Sequence, residues 1–164
     1  PIQISLTWQA SPKDLDAHLW TLGGYRVNHS CGGSLNSPPW AKLNCDYFDG
    51  HGKETITIAD FAPDTYLYSV HNYSRAPAIT GSGAQVDVYS QSQLLYTFTA
   101  PHTGPADSLV WDVLEIDGAT RKVARLDTLR DCPNWTLEQN SVAGKPDPRD
   151  AAGFRLIDES PTGQ

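Results

Sequence analysis

The chain has no methionine, only three cysteines, and 12 lysines and arginines against 19 aspartates and glutamates. With a formal net charge of -7 and no basic cluster, it lacks the electrostatic footprint of a nucleic-acid partner. No apolar run approaches the roughly 18 residues of a membrane-spanning helix. No Gly-x-Ser-x-Gly elbow occurs, and no cysteine sits in a recognisable catalytic context, so nucleophilic catalysis finds no support. No segment before residue 127 carries a helical stripe, which argues against a helical bundle. With Pro1 first and no methionine, the chain is expected to be cut from a longer polypeptide, so a missing leader says nothing about location.

A length of 164 residues suits one domain with a tail, long enough to bury a core without disulfides. The three cysteines still carry a suggestion. Cys31 and Cys45 flank a Gly/Ser/Pro-rich segment and would close a loop of about 15 residues, worth about 3 kcal/mol in the chain-entropy model. A Cys31–Cys45 disulfide is therefore expected, which leaves Cys132 over. Asn28-His29-Ser30, Asn72-Tyr73-Ser74 and Asn134-Trp135-Thr136 match the glycosylation acceptor pattern. Both features fit a secreted glycoprotein. A reduced cytosolic domain with unrelated thiols is the alternative.

What the chain does have is strand alternation. Ile2, Ile4, Leu6 and Trp8 alternate with Gln3, Ser5 and Thr7. Further strands are expected over 14–21, 25–27, 40–46, 54–58, 66–71, 84–89, 94–99, 109–116 and 122–126. Turn signals separate them at Gly23-Gly24, Asp49-Gly50-His51-Gly52, Ser90-Gln91-Ser92 and Asp117-Gly118. Many short strands with frequent turns predict an all-β chain, an antiparallel β-sandwich over residues 1–126. Its core should hold Trp8, Leu15, Leu19, Ile56, Ile58, Leu67, Val86, Val88, Val113 and Ile116. Residues 127–164 turn polar and read as an extended tail or linker.

The chemistry concentrates in Asp14-Leu15-Asp16-Ala17-His18-Leu19. Strand periodicity puts Asp14, Asp16 and His18 on one face and Leu15, Ala17 and Leu19 on the other. Same-face neighbours lie about 6.8 Å apart, so one ion can be shared by only one adjacent pair. Further ligands must come from elsewhere, and Asp46, Asp49 and Glu54 are the obvious suppliers. An oxygen-rich set suits calcium. Adding His18, His51 or His71 suits zinc or another transition metal. The alternative is a hydrogen-bonded polar cluster in which Asp16 pairs with His18 or His71. Five carboxylates with few nearby amines need a cation or imidazole partners to offset their repulsion. The expected site is thus Asp14, Asp16, Asp46, Asp49 and Glu54 with His18 and His71, with calcium preferred to zinc and no organic cofactor.

Leu6-Thr7-Trp8, Pro12 and Asp14-Leu15-Asp16-Ala17-His18-Leu19 together resemble a motif of the secreted YfaP-like β-sandwich domains. These are relatives of transthyretin-like and carboxypeptidase-regulatory-like modules. Gly52-Lys53-Glu54-Thr55-Ile56-Thr57-Ile58 resembles that family's Gly-Pro-Glu-Thr-Ile strand, with Lys53 where the family has proline. Tyr66 to Tyr73 resembles its tyrosine-rich strand. Val86 to Tyr89 and Leu109 to Asp117 resemble its last hairpins. The resemblance covers about three quarters of the chain and ends near Leu126. It implies an immunoglobulin- or transthyretin-like sandwich acting as an extracellular or cell-surface module of adhesion or assembly proteins, without catalysis. It names no ligand.

Aromatic residues in or near loops supply an expected partner face: Trp20, Tyr25, Trp40, Tyr73 and Trp135. Such a face fits other protein subunits or surface glycans. Phe154 and Leu156 in the tail fit addition of a strand to a neighbour's sheet, hence self-assembly. The rival function is a metal-dependent hydrolase or carbohydrate-binding domain acting on extracellular polymer.

Overall fold

The alternating segments fold into two antiparallel sheets in the computed structural model, which describes residues 1–21 and 23–131. Eleven strands form among the described residues: β1 (Ile2–Thr7), β2 (Leu15–Thr21), β3 (Arg26–Val27), β4 (Gly33–Ser34), β5 (Ala41–Leu43), β6 (Lys53–Ile58), β7 (Thr65–Asn72), β8 (Gln85–Ser90), β9 (Gln93–Thr99), β10 (Val110–Asp117) and β11 (Val123–Arg130). A single 3-10 turn, Ile79–Gly81, is the only helical element among them, far too short to cross a membrane.

One sheet runs β4-β5-β6-β1-β8-β9 and the other β11-β10-β7-β2-β3. The longer central strands each give one face to the core. Ile4 and Leu6, Leu15, Ala17 and Leu19, Ile56 and Ile58, Val86 and Val88, and Trp111 and Val113 meet there with no more than trace exposure. All ten expected core residues are buried. Leu67 is the exception in place: it is buried but outside the main cluster. It pairs with Trp20 rather than facing the other sheet.

Turn chemistry matches the hairpins. Gln91 and Ser92 both take positive φ, as a two-residue turn between right-twisted strands requires. Asp117 opens the β10–β11 turn by accepting the amides of Ala119 and Thr120. β4 is a two-residue strand with no sequence signal. β5 is shorter than the extended pattern of 40–46 suggested, and β11 runs four residues past the expected boundary at 126. Arg130 holds that added end by donating from Nε and Nη2 to Asp112 (2.7 and 3.2 Å), which also accepts the Ser69 hydroxyl.

The Cys31–Cys45 disulfide is not formed: both thiols are free and exposed. Strand register explains it. Gly33 pairs with Lys42, which sets residue 31 opposite residue 44, one step out of line with Cys45. The thiols also face different neighbours, Cys31 the Arg26 guanidinium and Cys45 the Lys53 carbonyl. Cys132 lies outside the described residues.

Candidate metal centre

The site grows from a gap in a ladder. β2 pairs with β7 along its whole length but with β3 only at Leu19 and Trp20. The amide of Ala17 thus has no strand beside it, and it donates instead to Glu54 Oε2 of β6 in the opposite sheet, at 2.8 Å. Tyr47 N donates to Glu54 Oε1 at 3.0 Å. One fully buried carboxylate thereby ties the two sheets and the 44–50 loop together. Burial pushes its pKa up to about 8, against the pull of those two amides and with the push of Asp16 and Asp46.

Asp16 and His18 lie beside this joint. The β2–β7 register sets Asp16 opposite His71, whose Nδ1 is 3.6 Å from Asp16 Oδ2. Beyond β3, the chain makes a tight turn on Asn28, whose side-chain oxygen accepts the amides of Ser30 and Cys31. That turn carries His29 back over β2, with Nδ1 3.4 Å from Asp16 Oδ1. The His18 ring lies 6.2 Å from that of His29 and 5.7 Å from that of His71, both edge-on. Asn28 Nδ2 approaches His18 Nδ1 at 3.5 Å.

The electrostatics follow from this crowding. Burial alone would raise Asp16, but His29 and His71 beside it hold its carboxyl well below the usual range. Asp16 in turn raises His29 against its partial burial. Complete burial drives His18 well below an ordinary histidine despite Asp16. Burial, then the neighbouring Asp16 and Asp46, raise Asp14 to about 6.

Among the described residues, two groups of side chains could hold a metal ion, and they share Asp16. One is Asp16, His18 and His29; the other is Asp16, Asp46 and Glu54. Within each group the ligand atoms all lie within 4.8 Å of one another. Of the expected ligands, Asp16, His18, Asp46 and Glu54 are brought into these groups. His71 touches Asp16 from outside them. Asp14 feels the cluster electrostatically without joining either group. Asp49 is left at the surface, 3.8 Å from the Lys13 ammonium.

His29 is the residue that sequence reasoning missed. Its triplet reads as a glycosylation acceptor, and that masks a second signal. A β2–β3 hairpin turning at Gly23-Gly24 returns the chain past Val27, opposite Leu19, toward residues 16 to 18.

The two groups differ in donor chemistry. Calcium takes six to eight oxygens, whereas the carboxylate group offers three side chains. Both oxygens of one of them, Glu54, already accept backbone amides. Two imidazoles and a carboxylate are the ligand types of zinc and related ions.

Glycosylation at Asn28 or Asn72 does not fit the folded domain. Both are wholly buried, and the Asn72 amide donates to the Pro77 carbonyl at 2.9 Å. Asn134 lies outside the described residues, as do Trp135, Phe154 and Leu156 of the expected partner face. Within that face, Tyr25 and Tyr73 are exposed. Trp40 is half-buried. Trp20 is drawn into the site, stacked on His18 and beneath the Arg26 guanidinium. The largest apolar exposure unremarked in the sequence is at Phe48 and along Leu94, Leu95 and Tyr96 of β9.

No protein family, curated protein or solved structure matches the chain.

Proposed function

We propose that this domain is a non-enzymatic binding and assembly module that joins a second copy of itself through β9. The observation that carries this reading is the character of that strand. β9 closes the six-stranded sheet, and among the described residues no strand pairs with its outer side. Leu94, Leu95 and Tyr96 are each more than two-fifths exposed. Gln93 to Thr99 contains no charged residue, in a chain of net charge -7.

Natural edge strands are guarded by lysine, proline or inward charge. β9 has none of these three. A register shift against β8 at Leu95 is its one natural guard, and the Arg125 guanidinium donates to the Thr97 carbonyl at 3.3 Å. Its other half, toward the hairpin tip, is an uncharged apolar ribbon. Two-fold pairing of β9 with β9 sets residue i opposite j and j opposite i, so only residues at the axis face their own copies. A charge at the axis would face its like; an uncharged strand carries no such penalty.

A non-catalytic role is supported by the burial of the donor cluster. Asp16 is 2 % exposed and His18 is fully enclosed, which suits an ion that braces the fold better than one that must admit substrate. An extracellular or cell-surface location, and the place of the domain in a larger adhesion or surface structure, rest on the YfaP-like resemblance. The free Cys31 and Cys45 add nothing to it.

The test is molecular mass by sedimentation velocity across a concentration series. The wild type should shift from monomer toward dimer or larger species, while Leu94→Lys and Tyr96→Lys should remain monomeric with unchanged far-UV spectra. A wild type that stays monomeric at every concentration contradicts the proposal.

A further inference from the structure

We propose that Asp16, His18 and His29 form a binding site for one transition-metal cation of the zinc class, with His71 bracing the second oxygen of Asp16. The inference is independent of self-association through β9 and stands or falls separately.

Three observations carry it. The ligand atoms of Asp16, His18 and His29 lie within 4.8 Å of one another, and they come from β2 and from the turn after β3. Asp16 is 2 % exposed, yet its Oδ2 accepts no hydrogen bond. His29 Nδ1 is buried and makes no hydrogen bond either, although Asp16 Oδ1 is only 3.4 Å away. A carboxylate so deeply enclosed ordinarily finds aligned donors. His29 Nδ1 faces Asp16 Oδ1 without the alignment of a hydrogen bond, while the unpartnered Oδ2 lies on the other side, 3.6 Å from His71 Nδ1. The Oδ1 and Nδ1 lone pairs are left to converge on a cation.

The chemical class follows from the donors. Two imidazoles and one carboxylate bind zinc and its neighbours in preference to magnesium or calcium. His71 Nδ1, 3.6 Å from the other oxygen, is placed as the outer partner that orients a ligating carboxylate. Imidazoles ligate only as neutral rings, so binding weakens as the pH falls.

The experiment is calorimetric titration of zinc into the full chain, tag-free and stripped with chelator, with calcium as the comparison ion. The expected result is one equivalent of zinc, no response to calcium, and a higher thermal midpoint. His29→Ala, which removes a direct ligand, should weaken zinc binding by more than the roughly 10–100-fold that loss of an outer-shell partner costs. Asp49→Asn, at the surface beside Lys13 and in neither group, should leave it unchanged. Absence of zinc binding overturns the proposal. So does retention by His29→Ala, and so does a loss in Asp49→Asn equal to that in His29→Ala. If His29→Ala does not fold, X-ray absorption on the zinc-loaded wild type decides the matter. Two imidazoles in the metal shell support the site, and an all-oxygen shell overturns it.

Discussion

Glu54 shows what a single residue can carry. Its two oxygens each accept a backbone amide from a different segment, Ala17 of β2 and Tyr47 of the loop before β6. Glutamine cannot replace it, because an amide nitrogen donates where an acceptor is required. Its pKa of about 8 also makes the domain sensitive to pH. A carboxyl whose folded pKa is raised holds its proton more tightly folded than unfolded. Its contribution is complete below the ordinary value of 4.5 and is lost as pH rises through about 8. Asp14 (raised to about 6) and His29 (also raised) work in the same direction. Asp16 is lowered and acts oppositely, costing stability only as pH falls below its ordinary 3.8. His18, driven well below its ordinary 6.5 by burial, opposes this fall up to about pH 7. In chelator, wild-type stability should therefore fall by about 1–2 kcal/mol between about pH 7 and about pH 9. Glu54→Gln should be less stable than wild type at pH 5 by about 1–3 kcal/mol, from one unmet amide. It should also show a visibly flatter decline. Urea unfolding at these pH values checks both, and an undiminished slope in Glu54→Gln would show that another group carries the effect.

At the scale of elements, much of the molecule was readable because alternation and turn residues agree. Ile2 to Trp8, Glu54 to Ile58 and Leu94 to Thr99 have a period of two and are bounded by Pro, Gly or Ser, and all three become strands. β4 escaped because two residues, Gly33 and Ser34, have no period at all. The irregular register of β10 between Asp112 and Leu114 escaped because a bulge is set by the neighbours β7 and β11 rather than by the strand itself. The disulfide failed for a related reason. Loop length measures closure entropy, whereas register decides whether two side chains meet. Close approach between elements gives a sharper test. A Cβ on Gly52 would collide with the Trp8 ring, at the place where Trp8 N donates to the Gly52 carbonyl. Gly52→Ala should therefore destabilise by about 1–3 kcal/mol through overpacking of the β1–β6 joint. Gly32→Ala, with open space around it, should stay within about 0.5 kcal/mol of wild type. Equal midpoints in guanidinium unfolding for the two variants would contradict this account of the joint.

For the whole molecule, the sequence revealed the architecture better than the site. Leu15, Ala17 and Leu19 announce an apolar face, and the face opposite carries Asp16 and His18. What closes over that second face comes from Glu54 in the other sheet and from His29 beyond a hairpin, and no local pattern encodes either. Asp14 and Asp49 share the motif segments yet stand apart, because chain proximity does not aim side chains at one point. The exposed ribbon of β9 was hidden for another reason: in sequence Leu94, Leu95 and Tyr96 read only as part of a strand, and the sheet order places them at an edge. That edge underlies the central claim, that the domain assembles through β9. Amide hydrogen exchange in dilute and concentrated solution tests it most directly. The account predicts that exchange in Gln93 to Thr99 slows as concentration rises, while the loops and β11 are unchanged. Exchange in β9 that is equally fast at every concentration, or protection that appears on another face, would contradict it.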